Sequence, residues 1–298
     1  MAIFFALESL KFYKMRNQRF VATFFLIVML AVFGSLLIQV GDPDFSPLFA
    51  TFDTFLNDRV VPDEIPLSRG NIIYMAYMLA IILVLELFKY LFASIYIAEV
   101  MGQSVKDGLL RMLRYTPSTL LLLIISGIIM GLSSFLMLIP YFWFSFATLF
   151  GPLIRAQDRV KFIASLEASY QYTRGNKIIL FASSILISLV LRFIEPLIRG
   201  FAPRNLLSIR LISAFFMTIS MMIQGRFLGM TYIYFVKFFP RMASSFGYRD
   251  PREMLNDIEA GREPTMRDPN RDGTPRYPYP HDTADEEEED DNDRSTPN

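Results

Sequence analysis

The chain has 298 residues, 53% of them hydrophobic and 15% aromatic, with 29 Lys+Arg, 29 Asp+Glu, one His and no Cys. The lack of Cys excludes disulfides, thiolate metal sites and cysteine nucleophiles, and a lone His281 gives no material for a histidine metal site or triad. The neutral total hides an asymmetry: Arg249 to Asn298 carry seven basic and sixteen acidic residues, net −9, which leaves +9 on residues 1–248.

Residues 1–19 hold Lys11, Lys14, Arg16 and Arg19 against Glu8. With Ile3, Leu7 and Leu10 on one face, they read as an interfacial helix leading into a membrane. The first apolar run, Phe20–Val40, is long and has no small-residue cleavage site after it, so an uncleaved span is preferred to a signal peptide. Residues 41–70 form a polar loop with six acids. Within it, Ser46-Pro47 opens a short helix bearing Leu48, Phe52, Phe55 and Leu56, read as a cover for the bundle end or as a lid. The second span is Asn71–Ile97, and a basic amphipathic helix is expected within 98–117.

Residues Ser118 to Ile154 are apolar and uncharged throughout. At about 1.5 Å per residue this run is too long for one crossing of a core roughly 30 Å thick. Both flanks are basic, so a hairpin is expected, bending between Ser133 and Trp143 near Pro140. A polar and basic stretch, Arg155 to Lys177, follows. It predicts a surface helix with Phe162, Ile163, Leu166, Tyr170 and Thr173 on one face and Lys161, Ser165, Gln171 and Tyr172 on the other. Gly175 supplies its stop signal. The fifth and sixth spans are Ile178–Ile198 and Leu206–Phe239. Beyond them, DPREMLNDIEAG predicts a capped helix at 251–260, and the rest of the acidic tail has the composition of a disordered segment.

The expected fold is therefore all-α: a polytopic bundle of six transmembrane helices as three hairpins, each preceded by a cytoplasmic amphipathic helix. The expected domains are 1–248 and a cytoplasmic tail, 249–298. Segments 1–19, 98–117, 155–177 and 237–248 hold fourteen basic residues, against four in the alternate segments. That bias places both termini in the cytoplasm. Ser9, Ser104 and Ser165 each begin a similar run of Ser, an aliphatic residue and a later Arg, which reads as three copies of one unit.

Ile139-Pro140 and the later Ser169, Thr173, Arg174, Gly175 and Asn176 carry a resemblance. The pattern resembles bacterial six-span membrane families, among them the membrane domain associated with glycerophosphoryl diester phosphodiesterases. Tyr141 stands where those families have Gly. The resemblance covers about Gln103 to Phe239. It implies a fold and a bacterial inner membrane, and no reaction, since the phosphodiesterase chemistry in such fusions resides in a separate soluble domain.

Leaving aside Lys237 at the very end of the sixth, six charged residues fall within the spans: Glu86, Lys89, Arg192, Glu195, Arg210 and Arg226. Such residues are costly in lipid and mark function by default, although structural pairing and snorkelling compete as explanations. By depth they sort into two layers, Glu86, Lys89 and Arg226 in one, and Arg192, Glu195 and Arg210 in the other. Within each layer the expected pairs are Glu86 with Lys89 or Arg226, and Glu195 with Arg192 or Arg210. A second candidate set, Arg159, Lys161, Ser169, Arg174, Gly175, Asn176 and Lys177, is a lipid-headgroup site by its charge and position. Expected partners are membrane lipids and a membrane or cytoplasmic protein; no nucleic-acid platform and no cofactor site is recognised. The primary reading is a non-enzymatic, lipid-facing scaffold or partner-binding subunit. The alternative is a small transporter or lipid-translocating protein that uses the polar layers.

Overall fold

The computed structural model describes residues 1–58, 66–133, 138–201, 203 and 205–238. The expected boundary at 248/249, the helix at 251–260 and the acidic tail lie outside the described residues. The chain divides after Tyr232 into a first unit, Met1–Tyr232, and a second beginning at Ile233. Of the second, the described part is a π-helical stretch, Ile233–Phe238.

The first unit contains eleven described α-helices: α1 Ala2–Ser9, α2 Gln18–Leu37, α3 Ser46–Asp58, α4 Arg69–Val100, α5 Val105–Arg114, α6 Thr116–Ser133, α7 Ile139–Thr148, α8 Gly151–Asp158, α9 Phe162–Thr173, α10 Lys177–Phe201 and α11 Leu206–Tyr232. No strand occurs among the described residues. Five stretches are long and apolar enough to cross a membrane: Gln18–Leu37, Arg69–Val100, Thr116–Ser133, Lys177–Phe201 and Leu206–Lys237. Their outward faces carry large apolar side chains such as Leu30, Ile128, Leu189 and Phe193. A surface of this kind needs lipid rather than water around it. The all-helical membrane class expected from the sequence is present.

Polar caps set the helix boundaries. Asn17 Oδ1 accepts the Phe20 amide at 3.2 Å and starts α2. Ser68 and Asn71 form a reciprocal capping box at the start of α4. The Asn71 side-chain amide also donates to the carbonyls of Asp42 and Asp44, at 2.9 and 2.8 Å. One buried side chain thus fastens the loop after α2 to the first turn of α4. Ser104 caps α5 through the Asp107 amide at 3.1 Å.

The centre of the unit is the pair α4 and α11, with α2 against α11 and α5 against α4. Residues 90–98 of α4 are all buried. Opposite them lies Gly225-Arg226-Phe227-Leu228-Gly229, a small-x-x-x-small spacing that lets two backbones approach closely. A Cβ added at Gly229 would sit 2.7 Å from Tyr96 Cδ1 and 3.1 Å from the Ala93 carbonyl. One added at Gly225 would sit 2.9 Å from the Lys89 carbonyl. Phe24 of α2 completes the core between the rings of Phe20, Phe88 and Phe92.

Several expectations are corrected. The helix at the start of the chain ends at Ser9, and the turn after it carries the buried Met15. The expected single surface helix over 155–177 is two helices. α8 ends at Arg159, which takes a left-handed φ of 57°, and α9 starts after Lys161. The buried face of α9 is Ser165, Ser169 and Thr173, while Ile163 is 77% exposed. Small hydroxyl residues face the protein because they permit close packing, with Phe162 and Leu166 half-buried beside them and Ile163 and Tyr170 outward. The three serines of the expected repeat hold three different places: Ser9 ends α1, Ser104 caps α5 and Ser165 lies inside α9.

Of the expected hairpin in 118–154, residues 134–137 at its bend lie outside the described residues. α6 ends at Ser133, α7 begins at Ile139 with Pro140 in its first turn, and the two helices pack together. α7 has only 10 residues, so by itself it is too short to span.

Candidate functional site

Four of the six charged residues in the spans come together. Glu86 and Lys89 of α4 and Arg192 and Glu195 of α10 line one open cleft of about 320 Å³, closed on its third side by α11. Ser188, Ser220 and Gln224 add polar groups, and Leu85, Leu191, Met217 and Met221 form the apolar wall. The helical register explains the placement. Ser188, Arg192 and Glu195 recur at i, i+4 and i+7 on α10, Ser220 and Gln224 at i and i+4 on α11, and Glu86 and Lys89 at i and i+3 on α4.

Glu86 and Lys89 form an ion pair, as expected. Glu195 does not pair with Arg192 or Arg210. α10 continues past Ile198 to Phe201, which places Arg199 one turn beyond Glu195, and their ion pair closes at 2.6 Å. Arg199 Nη2 also donates to Ser213 Oγ of α11 at 2.6 Å. Pro196 lies inside α10 and lacks the amide that would bond the Arg192 carbonyl, so the backbone is weakened at the cleft.

The other two charges are structural. Arg226 is fully buried; its Nη1 donates to the Lys14 carbonyl at 2.9 Å and its guanidinium lies 5.2 Å from the Tyr96 ring centre. It fastens the turn after α1 to the α4–α11 core. Arg210 Nη1 donates to the Leu37 carbonyl at 3.2 Å, at the orphan end of α2. The two expected layers are therefore one cleft and two backbone clasps.

The second candidate set does not line this cleft. Ser169 Oγ accepts the Phe150 amide at 3.0 Å and donates to the Ala147 carbonyl at 2.8 Å. Those two backbone groups flank the break between α7 and α8. Tyr90 of α4 donates to the Leu149 carbonyl at 3.3 Å in the same break. Freed backbone groups at such a depth must be satisfied by protein, and Ser169 and Tyr90 do so. Lys177 Nζ lies over the rings of Trp143 and Tyr170, 3.5 and 4.6 Å from their centres, and ties α10 to α7 and α9. Gly175 takes φ +85° in the turn between α9 and α10, and the Asn176 amide donates to the Thr173 carbonyl at 3.0 Å. Arg159, Lys161 and Arg174 remain exposed around α9.

A second cleft, of about 390 Å³, is lined by Arg16, Asn17, Glu99 and 102–105. In it Glu99 Oε1 accepts the Asn17 amide at 2.8 Å and joins the start of α2 to the end of α4. Sequence reasoning passed over Glu99, Arg199, Ser188, Ser220 and the Gly225–Gly229 spacing. Ser188 and the glycine spacing have a visible signal, since Ser188 lies one turn from Arg192 and the two glycines are four apart. No family model, curated protein or solved structure matches the chain.

Proposed function

We propose that this is a multi-pass membrane protein that holds an amphiphile in the cleft between α4, α10 and α11, as a lipid-binding or lipid-translocating protein with no covalent chemistry of its own. The observation that carries this reading is the convergence of Glu86, Lys89, Arg192 and Glu195 on one cleft lined by both polar and apolar side chains. Charges kept only for pairing would be sealed between helices, as Arg226 is. A cleft with both kinds of lining suits a molecule that has a head and a tail.

The same proposal takes α7 and α8 together as a sixth, broken crossing. At about 1.5 Å per residue, 139–158 reaches roughly the 30 Å needed. The break is one that protein groups satisfy, through Ser169 and Tyr90. With six crossings both termini lie in the cytoplasm of a bacterium, and the exposed Arg159, Lys161 and Arg174 face its anionic lipid surface. This topology also agrees with the resemblance to the six-span families. A topology reporter fused after Lys161 should report the cytoplasmic side; an external signal would leave five crossings.

The scaffold reading is favoured by one observation, that Arg226 and Arg210 donate to the backbone carbonyls of Lys14 and Leu37 and so fasten distant segments together. The test between the readings fills the cleft. Native mass spectrometry of the purified protein should show retained lipid, and Ser188→Phe with Ser220→Phe should lose it while melting at a similar temperature. Equal lipid retention would favour the scaffold.

A further inference from the structure

We infer that the cleft takes a phosphate-bearing lipid headgroup, with Arg192 as its counter-ion. The inference rests on the amphiphile reading above and names the chemistry of the head. The cleft's two carboxylates are already matched, Glu86 by Lys89 and Glu195 by Arg199. Arg192 has no ion-pair partner among the described residues. Those five groups together carry one net positive charge, and a phosphodiester carries one negative charge.

A cation beside hydrocarbon without a counter-charge is costly, and an anion within reach removes that cost. The guanidinium fork fits two oxygens of one phosphate, a geometry that an ammonium does not offer. Further donors surround it. Ser188 lies one turn from Arg192 on α10, and Ser220 and Gln224 face it from α11. Gln224 Nε2 donates to Ser220 Oγ at 3.2 Å, which leaves the Ser220 hydroxyl proton for an acceptor in the cleft. Leu85, Leu191 and Met217 line the same cleft and suit an acyl chain. An anionic or zwitterionic phospholipid satisfies both parts, and a diacylglycerol satisfies only the second.

The test uses the full chain in detergent with two photoreactive lipids that share one acyl chain: a phosphatidylglycerol and a diacylglycerol. Labelled peptides are mapped by mass spectrometry. The phosphatidylglycerol should label α10 and α11 at the cleft about tenfold or more above the diacylglycerol, the ratio expected of a charge-assisted hydrogen-bond pair. Arg192→Gln should reduce phosphatidylglycerol labelling to the diacylglycerol level, Arg192→Lys should restore part of it, and Arg210→Gln should leave it unchanged. Because Arg192 has no partner to strand, Arg192→Gln should melt like the wild type. Equal labelling by the two lipids, or labelling unaffected by Arg192→Gln, would overturn the phosphate inference and leave the amphiphile reading standing. No labelling at the cleft by either lipid would overturn both. Complete competition by inorganic phosphate would reassign the site to free phosphate and overturn the lipid source.

Discussion

The two ends of the α4–α11 pair are built on opposite principles. Along Tyr90–Ala98 and Met221–Tyr232 nearly every side chain is buried, and the glycines at 225 and 229 hold the two backbones in contact. At the other end Glu86, Lys89, Ser220 and Gln224 line an open cleft that meets the packed stretch at Lys89 and Gln224. Lys89 and Gln224 mark the border: the Lys89 carbonyl meets Gly225, and its ammonium faces the cleft. In a membrane no hydrophobic drive separates core from surface, so close packing by small residues holds the helices together. A polar group can then stand where packing is loose without loosening the whole bundle.

The comparison breaks most easily at its packed end. Gly229→Leu drives a branched side chain into Tyr96 and Ala93 and should cost about 3 kcal/mol or more, enough to lose folded protein in detergent. Gly127→Leu, at a helical glycine with nothing within 4 Å, is the control and should fold normally. Arg226→Met comes next. It removes a charge-assisted hydrogen bond to Lys14 and should cost about 2–3 kcal/mol, with faster proteolysis of the first twenty or so residues. Ser169→Ala strands the Phe150 amide and the Ala147 carbonyl in the α7–α8 break, and should lower stability by about 1–3 kcal/mol.

The cleft end should respond weakly in stability. Glu195→Gln and Arg199→Gln each remove half of a part-exposed pair. Each should cost less than about 1 kcal/mol in a thermal melt, with the double variant close to either single one. Coupling between Glu195 and Arg192 in the same double-mutant cycle would restore the pairing expected from sequence. The smallest effect belongs to Asp44, outside the spans. Hydrogen bonds from the Ser46 hydroxyl and amide hold its carboxyl below the ordinary Asp range. Its contribution is present above the unfolded-state pKa and is lost as pH falls through the lower folded value. Asp44→Asn should flatten that acid limb in circular dichroism and leave neutral-pH melting nearly unchanged.

Much of the architecture was legible because apolar length is a strong signal. The starts of α2, α4, α10 and α11 lie within a few residues of expectation. Contacts between distant segments were not legible. Arg226 bonds a carbonyl 212 residues away, and no spacing rule points to Lys14. Glu195 was given the wrong partner because the fifth span was ended at Ile198. Three more helical residues bring Arg199 into register and leave Arg192 alone. In α9 the buried side chains are drawn from both expected faces, Thr173 from one and Ser165 from the other, because small side chains rather than apolar ones mark its packed side. The two glycines were plain in the sequence, but only the position of α4 shows what they touch.

The central claim is that the packed end holds the fold and the cleft holds a lipid. Bound lipid per protein, measured by native mass spectrometry beside melting temperature, tests it most directly across Arg192→Gln, Ser220→Phe and Gly229→Ala. The first two should lose lipid at near wild-type stability, and Gly229→Ala should lose stability yet keep its lipid while folded. Lipid retention that simply followed melting temperature across all three would contradict it.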